Sequence, residues 1–170
     1  MTYDVRWHAA GTSAARAIEV HATDHLGAPG GSRGGDVTSG RLCPRCGSSA
    51  HGRPWLRVDG VAHHVSLSRA GQHLVTALSD GPVGVDVKSV AAVAAGWDPT
   101  LVLAAGETAG SDTERARVWA RKEAVLKQRG TGLATPMTGV LLTDEQWRDL
   151  EAPEGYVAAI SWAGPAAAAP

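Results

Sequence analysis

Val83-Gly84-Val85-Asp86-Val87-Lys88 and, further along, Trp119-Ala120-Arg121-Lys122-Glu123-Ala124-Val125-Leu126-Lys127 decide how this chain is read. In the first segment Val83, Val85 and Val87 alternate with Gly84, Asp86 and Lys88, so an extended strand places the valines on one face and Asp86 with Lys88 on the other. The valines belong in a core, which leaves Asp86 and Lys88 facing a cleft or solvent. Aspartate is depleted inside strands and needs a reason to be there. The second segment is helical. Ser111 and Glu114 fit a capping box, good helix formers run to Gln128, and Gly130 is placed to stop the helix. At helical spacing Trp119, Glu123 and Lys127 share a face, while Val118, Val125 and Leu126 lie towards another. Taken alone, Glu123 and Lys127 read as an ordinary exposed pair one turn apart, and Trp119 and Trp162 as core residues.

Upstream of the first segment, Val61 to Leu67 and His73 to Leu78 read as strands, and Asp80-Gly81 as the turn of a hairpin into Val83–Val87. Downstream, a short helix is expected at Asp144 to Leu150, a strand at Tyr156 to Trp162, and a frayed tail from Ala163. Residues 3 to 25 show no clean period. Leu26 to Gly40 holds six glycines and Pro29, and reads as a flexible connection. Its glycines lack the preceding strand and following helix of a phosphate-cradling loop.

With 44% hydrophobic residues, a chain of 170 residues suits one compact unit or two small halves. Lys and Arg total 16 against 17 Asp and Glu, which argues against nucleic-acid and anionic-membrane partners. No run reaches the roughly 18 apolar residues of a membrane span, and the first residues lack a signal-peptide pattern, so a cytoplasmic protein is expected. The two cysteines, Cys43 and Cys46, are too few and too close for a disulfide framework. With His51 they look like half a zinc knuckle, which His63, His64 or an N-terminal histidine would have to complete. A zinc-stabilised binding module is therefore one reading of the chain, against two reduced thiols in a loop.

Four pieces in fixed order carry a more specific one: GRPWL at 52–56, HHVSLSRAG at 63–71, VGVDVK at 83–88 and WARKEAVLK at 119–127. Together they resemble the Sfp-type 4'-phosphopantetheinyl transferases, with GYVAAISW at 155–162 similar to that family's closing strand. The likeness covers about Cys43 to Trp162. It implies an α+β fold of two pseudo-symmetric halves with a ligand cleft between them, residues 43–88 and 89–162, after a poorly matched segment 1–42 and before a tail 163–170. It also implies an enzyme that moves phosphopantetheine from CoA, its substrate, to a serine of an acyl or peptidyl carrier protein, using magnesium to neutralise adjacent phosphates. By motif position Asp86 and Glu123 would hold the magnesium, with Glu123 also placed to position or deprotonate the incoming serine. Lys122, Lys127, Arg53 and Ser66 would face the CoA phosphates, and Lys127 would belong to the catalytic set.

Two of the positions depart from the pattern. Lys88 stands where the family has its second acid, and Leu67 where it has a strand-end histidine. These departures imply, as the rival reading, a relative with the same fold that binds a carrier protein or CoA thioester and has lost or changed the reaction.

Overall fold

The computed structural model describes residues 2–26, 35–43 and 45–163. The first half comprises β1 (Tyr3–His8), α1 (Ala14–Leu26), β2 (Val37–Leu42), β3 (Arg53–Val58), β4 (Val61–Ala70) and β5 (His73–Ser79). The second comprises β6 (Val83–Ser89), α2 (Val90–Ala95), α3 (Pro99–Val102), α4 (Asp112–Arg129), β7 (Trp147–Leu150) and β8 (Tyr156–Trp162). Sheet order is β1-β5-β4-β3-β2 in one half and β6-β8-β7 in the other, with every pairing antiparallel. The two halves therefore share a plan: an opening strand, a helix, then a meander whose last strand returns to pair with the first.

Alternation along the strands stacks these elements into four layers. On β4 and β5, Val65 and Leu78 pack with Leu56 against Ile18 and Ala22 of α1. Val75 and Ala77 point the other way and meet Val83, Val85, Val87, Ala158 and Ile160 from the second sheet. Beyond that sheet, Val157 and Ala159 pack on Ala116, Ala120 and Ala124 of α4. The three β6 valines are at most 2% exposed, and burying each contributes about 1.5–3 kcal/mol. Between them Gly84 lies directly under α4, where a Cβ would overlap the Ala124 carbonyl oxygen. Only glycine lets the helix lie this low on β6, and that depth sets how far the α4 side chains reach.

Helix α4 forms as its sequence predicts, with Ser111 and Glu114 capping reciprocally and Gly130 left-handed at φ 74°. The closing strand forms too. The Asp80-Gly81 hairpin does not. Both edges of β5 are occupied, by β1 and β4, so the chain crosses to the other sheet and β6 pairs with β8 instead. The division between halves accordingly falls near residues 80–82 rather than at Lys88, and Tyr3–His8 and Val37–Leu42 are strands of the first sheet. Val37–Leu42 is strand rather than flexible connection; residues 27–34 of that glycine-rich stretch lie outside the described residues, as does the tail 164–170. Where a helix is expected at Asp144–Leu150, a 3-10 turn at Leu142–Asp144 leads into β7. Tertiary pairing outweighs local propensity here: β8 has a free edge, and Trp147 anchors the strand by donating to the Leu142 carbonyl at 2.8 Å.

A buried polar chain ties α1 to its sheet. His21 Nε2 lies 2.6 Å from Asp4 Oδ1 and its Nδ1 lies 2.7 Å from Thr76 Oγ1, which is also 2.7 Å from His8 Nε2. Thr76 has one hydroxyl proton and can donate it to one ring only: with both imidazoles neutral, His21 donates to Asp4 and accepts from Thr76, and His8 donates to Thr76. Burial first, then the charges of His21, Arg6 and Arg69, lower the His8 pKa from 6.5 to about 4. His21 is lowered by burial against the pull of Asp4. Because the folded values are depressed, the unfolded chain takes up protons first on acidification. Urea midpoints should thus hold above pH 6.5 and fall as the pH drops from 6.5 towards 4, with His8→Gln flattening part of the fall. A His8→Gln curve identical to wild type would contradict this reading of the network.

Candidate functional site

Strand β6 is an edge strand, and its outer edge meets β4 of the other sheet through side chains rather than a ladder. The Val85 amide donates to Ser66 Oγ at 3.0 Å. The Lys127 ammonium, reaching down from α4, donates to the Val85 carbonyl at 3.1 Å, to the Leu67 carbonyl at 3.3 Å and to Asp86 Oδ1 at 2.6 Å. Ser68 Oγ donates to that same carboxylate oxygen at 2.7 Å. One lysine thus closes two backbone acceptors on two sheets and pairs with a fully buried aspartate.

The remaining two charges complete a cluster. Lys88 Nζ lies 3.3 Å from Asp86 Oδ2 and 3.1 Å from Glu123 Oε1, and Trp119 Nε1 donates to the same Glu123 oxygen at 2.8 Å. The strand period brings Asp86 and Lys88 to one face, and the helical period brings Trp119, Glu123 and Lys127 down onto it. Burial raises the pKa of Asp86, with Glu123 adding to the rise and the Lys127 and Lys88 ammoniums opposing it. Burial works to raise Glu123 too, but Lys88 and Lys127 outweigh it and hold the carboxyl below its usual range. Lys88 is pushed up, because Asp86 and Glu123 outweigh the lowering effect of its burial. At neutral pH Glu123 is therefore a carboxylate and Lys88 an ammonium.

Two concavities flank the cluster. Lys127 opens on a groove of about 1400 Å³, and Lys88 with Trp119 on a cavity of about 280 Å³ that Arg69 and Ser89 also line. The groove wall contains Arg41, Arg45, Arg53, Arg57, Lys127, His63 and His64, and no acidic residue among those described. His64 is held below its usual pKa by partial burial and then by the Arg53 guanidinium, so the fixed positive charge comes from the arginines and Lys127. Gly130 does two jobs at its end: its left-handed φ terminates α4, and its missing Cβ leaves room for the Arg53 guanidinium.

The loop joining β2 to β3 forms one rim of the groove. Its Gly47, at φ 71°, donates to the Cys43 carbonyl, and the Cys43 amide donates to the Ser48 carbonyl, both at 2.9 Å. This turn brings ligand atoms of Cys43, Cys46 and His51 within 4.8 Å of one another, a group that can hold a metal ion. Cys46 Sγ and His51 Nε2 are 3.4 Å apart.

Of the residues expected from the sequence, Asp86, Glu123, Lys127 and Lys88 converge, and Arg53, Ser66 and Leu67 line the groove beside them. Lys122 does not join them. It is 0% exposed, and its ammonium is consumed by the Val102 carbonyl at 2.8 Å, the Met137 carbonyl at 3.1 Å and the Glu107 carboxylate. Adjacent helix residues point about 100° apart, and here Lys122 turns away from Glu123 to pin the loops around α3. Ser66 is a tether between sheets, and the Leu67 side chain packs under α1. Sequence reasoning missed Ser68, which the same alternation that turns Ser66 towards β6 would have indicated, and Arg41 of β2 and Arg57 of β3.

No protein-family model matches the chain, and no curated protein matches it. Among the described residues, no helix is long and apolar enough to cross a membrane.

Proposed function

We propose that the chain is a transferase of the phosphopantetheinyl type, binding CoA in the basic groove and passing its phosphopantetheine arm to a serine of an acyl or peptidyl carrier protein. The groove carries this reading. A chain of net charge −1 lines this groove with four arginines, Lys127 and two histidines and, among the described residues, no acid, which suits a ligand with several phosphates, as CoA has. Its volume exceeds the roughly 300–1,000 Å³ of common small-ligand pockets, leaving room for a nucleotide with a long arm. Two further observations support it: the shared plan of the two halves, and the meeting of motif residues 53, 66, 86, 123 and 127 from distant segments.

In the transfer, the serine oxygen bonds to the phosphorus bearing pantetheine, the bond from that phosphorus to the bridging oxygen breaks, and 3',5'-ADP leaves with the electron pair. The serine proton passes to a carboxylate or water. Glu123, ionised and fixed by the Trp119 indole, is the group positioned to orient the hydroxyl or accept that proton. Lys127 and Arg53 hold phosphate charge on the groove side. Asp86 and Glu123 are also the pair that the resemblance assigns to magnesium, but the Lys88 ammonium stands between them. Magnesium does not fit this donor set while Lys88 occupies it.

A second reading concerns the rim. Two thiols and an imidazole converge in a Cys-x-x-Cys-Gly turn, the donor set of zinc, and His51 is two residues from Arg53. Zinc there would fix the loop from which Arg53 enters the groove.

Incubation with CoA and a panel of carrier proteins should add the mass of a phosphopantetheine arm to one of them. Calorimetry should show CoA binding that Arg53→Ala weakens by about tenfold, the worth of one charge-assisted contact. Binding without transfer would leave the rival reading, a CoA-binding relative with altered chemistry; no binding would end both. Elemental analysis of tag-free protein should find about one zinc per chain, lost in Cys46→Ser. Two freely titrating thiols and no zinc would refute the metal and leave the transferase reading intact.

A further inference from the structure

We propose that Lys88 is the resident cation of this site, its ammonium taking the place of a divalent metal between Asp86 and Glu123, so that transfer proceeds without magnesium. This rests on the transferase reading above. Asp86 Oδ2 is buried and has no hydrogen-bond donor on it, and the charge facing it is the Lys88 ammonium at 3.3 Å. The same ammonium is 3.1 Å from Glu123 Oε1, so it bridges the two carboxylates that would otherwise share a metal. Its position is not incidental. Pairing with β8 fixes Asp86 opposite Ala159 and Lys88 opposite Val157, two residues along one strand face, and Gly84 seats α4 so that Glu123 reaches the same point.

Charge count agrees. Two acids, Asp86 and Glu123, meet two lysines, Lys88 and Lys127. A divalent ion would add uncompensated charge beside two lysines in a partly buried site. Lys88 is also 24% exposed on its side chain and lines the smaller cavity, so a phosphate oxygen reaching from the groove to that cavity touches the ammonium while it keeps its carboxylates. Three rotatable donors on a flexible stem suit this use. The displacement is the one already described: the P–O bond to serine forms, the bond to the bridging oxygen breaks, and 3',5'-ADP leaves with the electron pair. Lys88 donates hydrogen bonds to the phosphate oxygens and ends the step protonated as it began.

The test compares wild type, Lys88→Glu and Lys88→Gln in CoA-dependent transfer to carrier protein, with magnesium and with chelator, alongside manganese binding read by electron paramagnetic resonance. Wild type should transfer equally well with chelator and leave the manganese signal unchanged. Lys88→Glu should bind manganese at least about tenfold more tightly than wild type and depend on metal for transfer. Lys88→Gln, which keeps the length and removes the charge, should lose metal-free transfer. Wild-type transfer abolished by chelator and restored by magnesium would overturn the proposal and leave the transferase reading standing. If none of the three transfers the arm, that reading fails, and manganese binding decides the cation alone: binding by Lys88→Glu and not by wild type upholds it, and equal binding overturns it.

Discussion

The contact between Lys127 and Asp86 holds two sheets and one helix in register. A carboxylate at 0% exposure is costly to leave unpaired, and the ammonium that pairs with it also closes acceptors on β4 and β6. Removing one partner from a buried pair costs about 3–5 kcal/mol, because the other charge is left without compensation. Lys127 can reach only because Gly84 lets α4 lie low, and Ser66 and Ser68 present oxygens to β6 because their strand alternates. Everything that forms the candidate site hangs from this joint.

Placing a charged joint between halves has a consequence for chemistry. Apolar packing would seal the seam, whereas a cluster of two acids and two lysines presents Lys127 to the wide basic groove and Lys88 to the small cavity. Within that cluster Glu123 is ionised and Lys88 protonated. The near-neutral composition of the whole chain, net charge −1, conceals this separation, since the acids that balance the groove arginines lie elsewhere.

Much of the site was legible because it obeys local periods. The valine alternation in 83–87 and the capping box at Ser111 fix which faces Asp86, Lys88, Glu123 and Lys127 present, and the structure brings those faces together. What failed depends on partners that a local pattern does not contain. Asp80-Gly81 has the composition of a hairpin turn, yet β5 has no free edge for β6 to take. Trp147–Leu150 becomes strand because β8 offers an edge. Lys122 sits beside Glu123 in sequence but a third of a turn away on the helix, where three acceptors surround it. The buried His21 network joins β1, α1 and β5, which share no short-range pattern, and Arg41 and Arg57 line one groove only because β2 and β3 pair to build its wall.

A double-mutant cycle measures the joint most directly: the unfolding free energies of wild type, Lys127→Met, Asp86→Asn and the double variant, by urea titration. The two single changes should each cost several kcal/mol, and the double change should cost less than their sum by more than about 1 kcal/mol, the coupling of residues in direct contact. Additivity within about 0.5 kcal/mol would mean that the two side chains act independently. In that case the pair does not join the sheets, and the placement of the site between them is wrong.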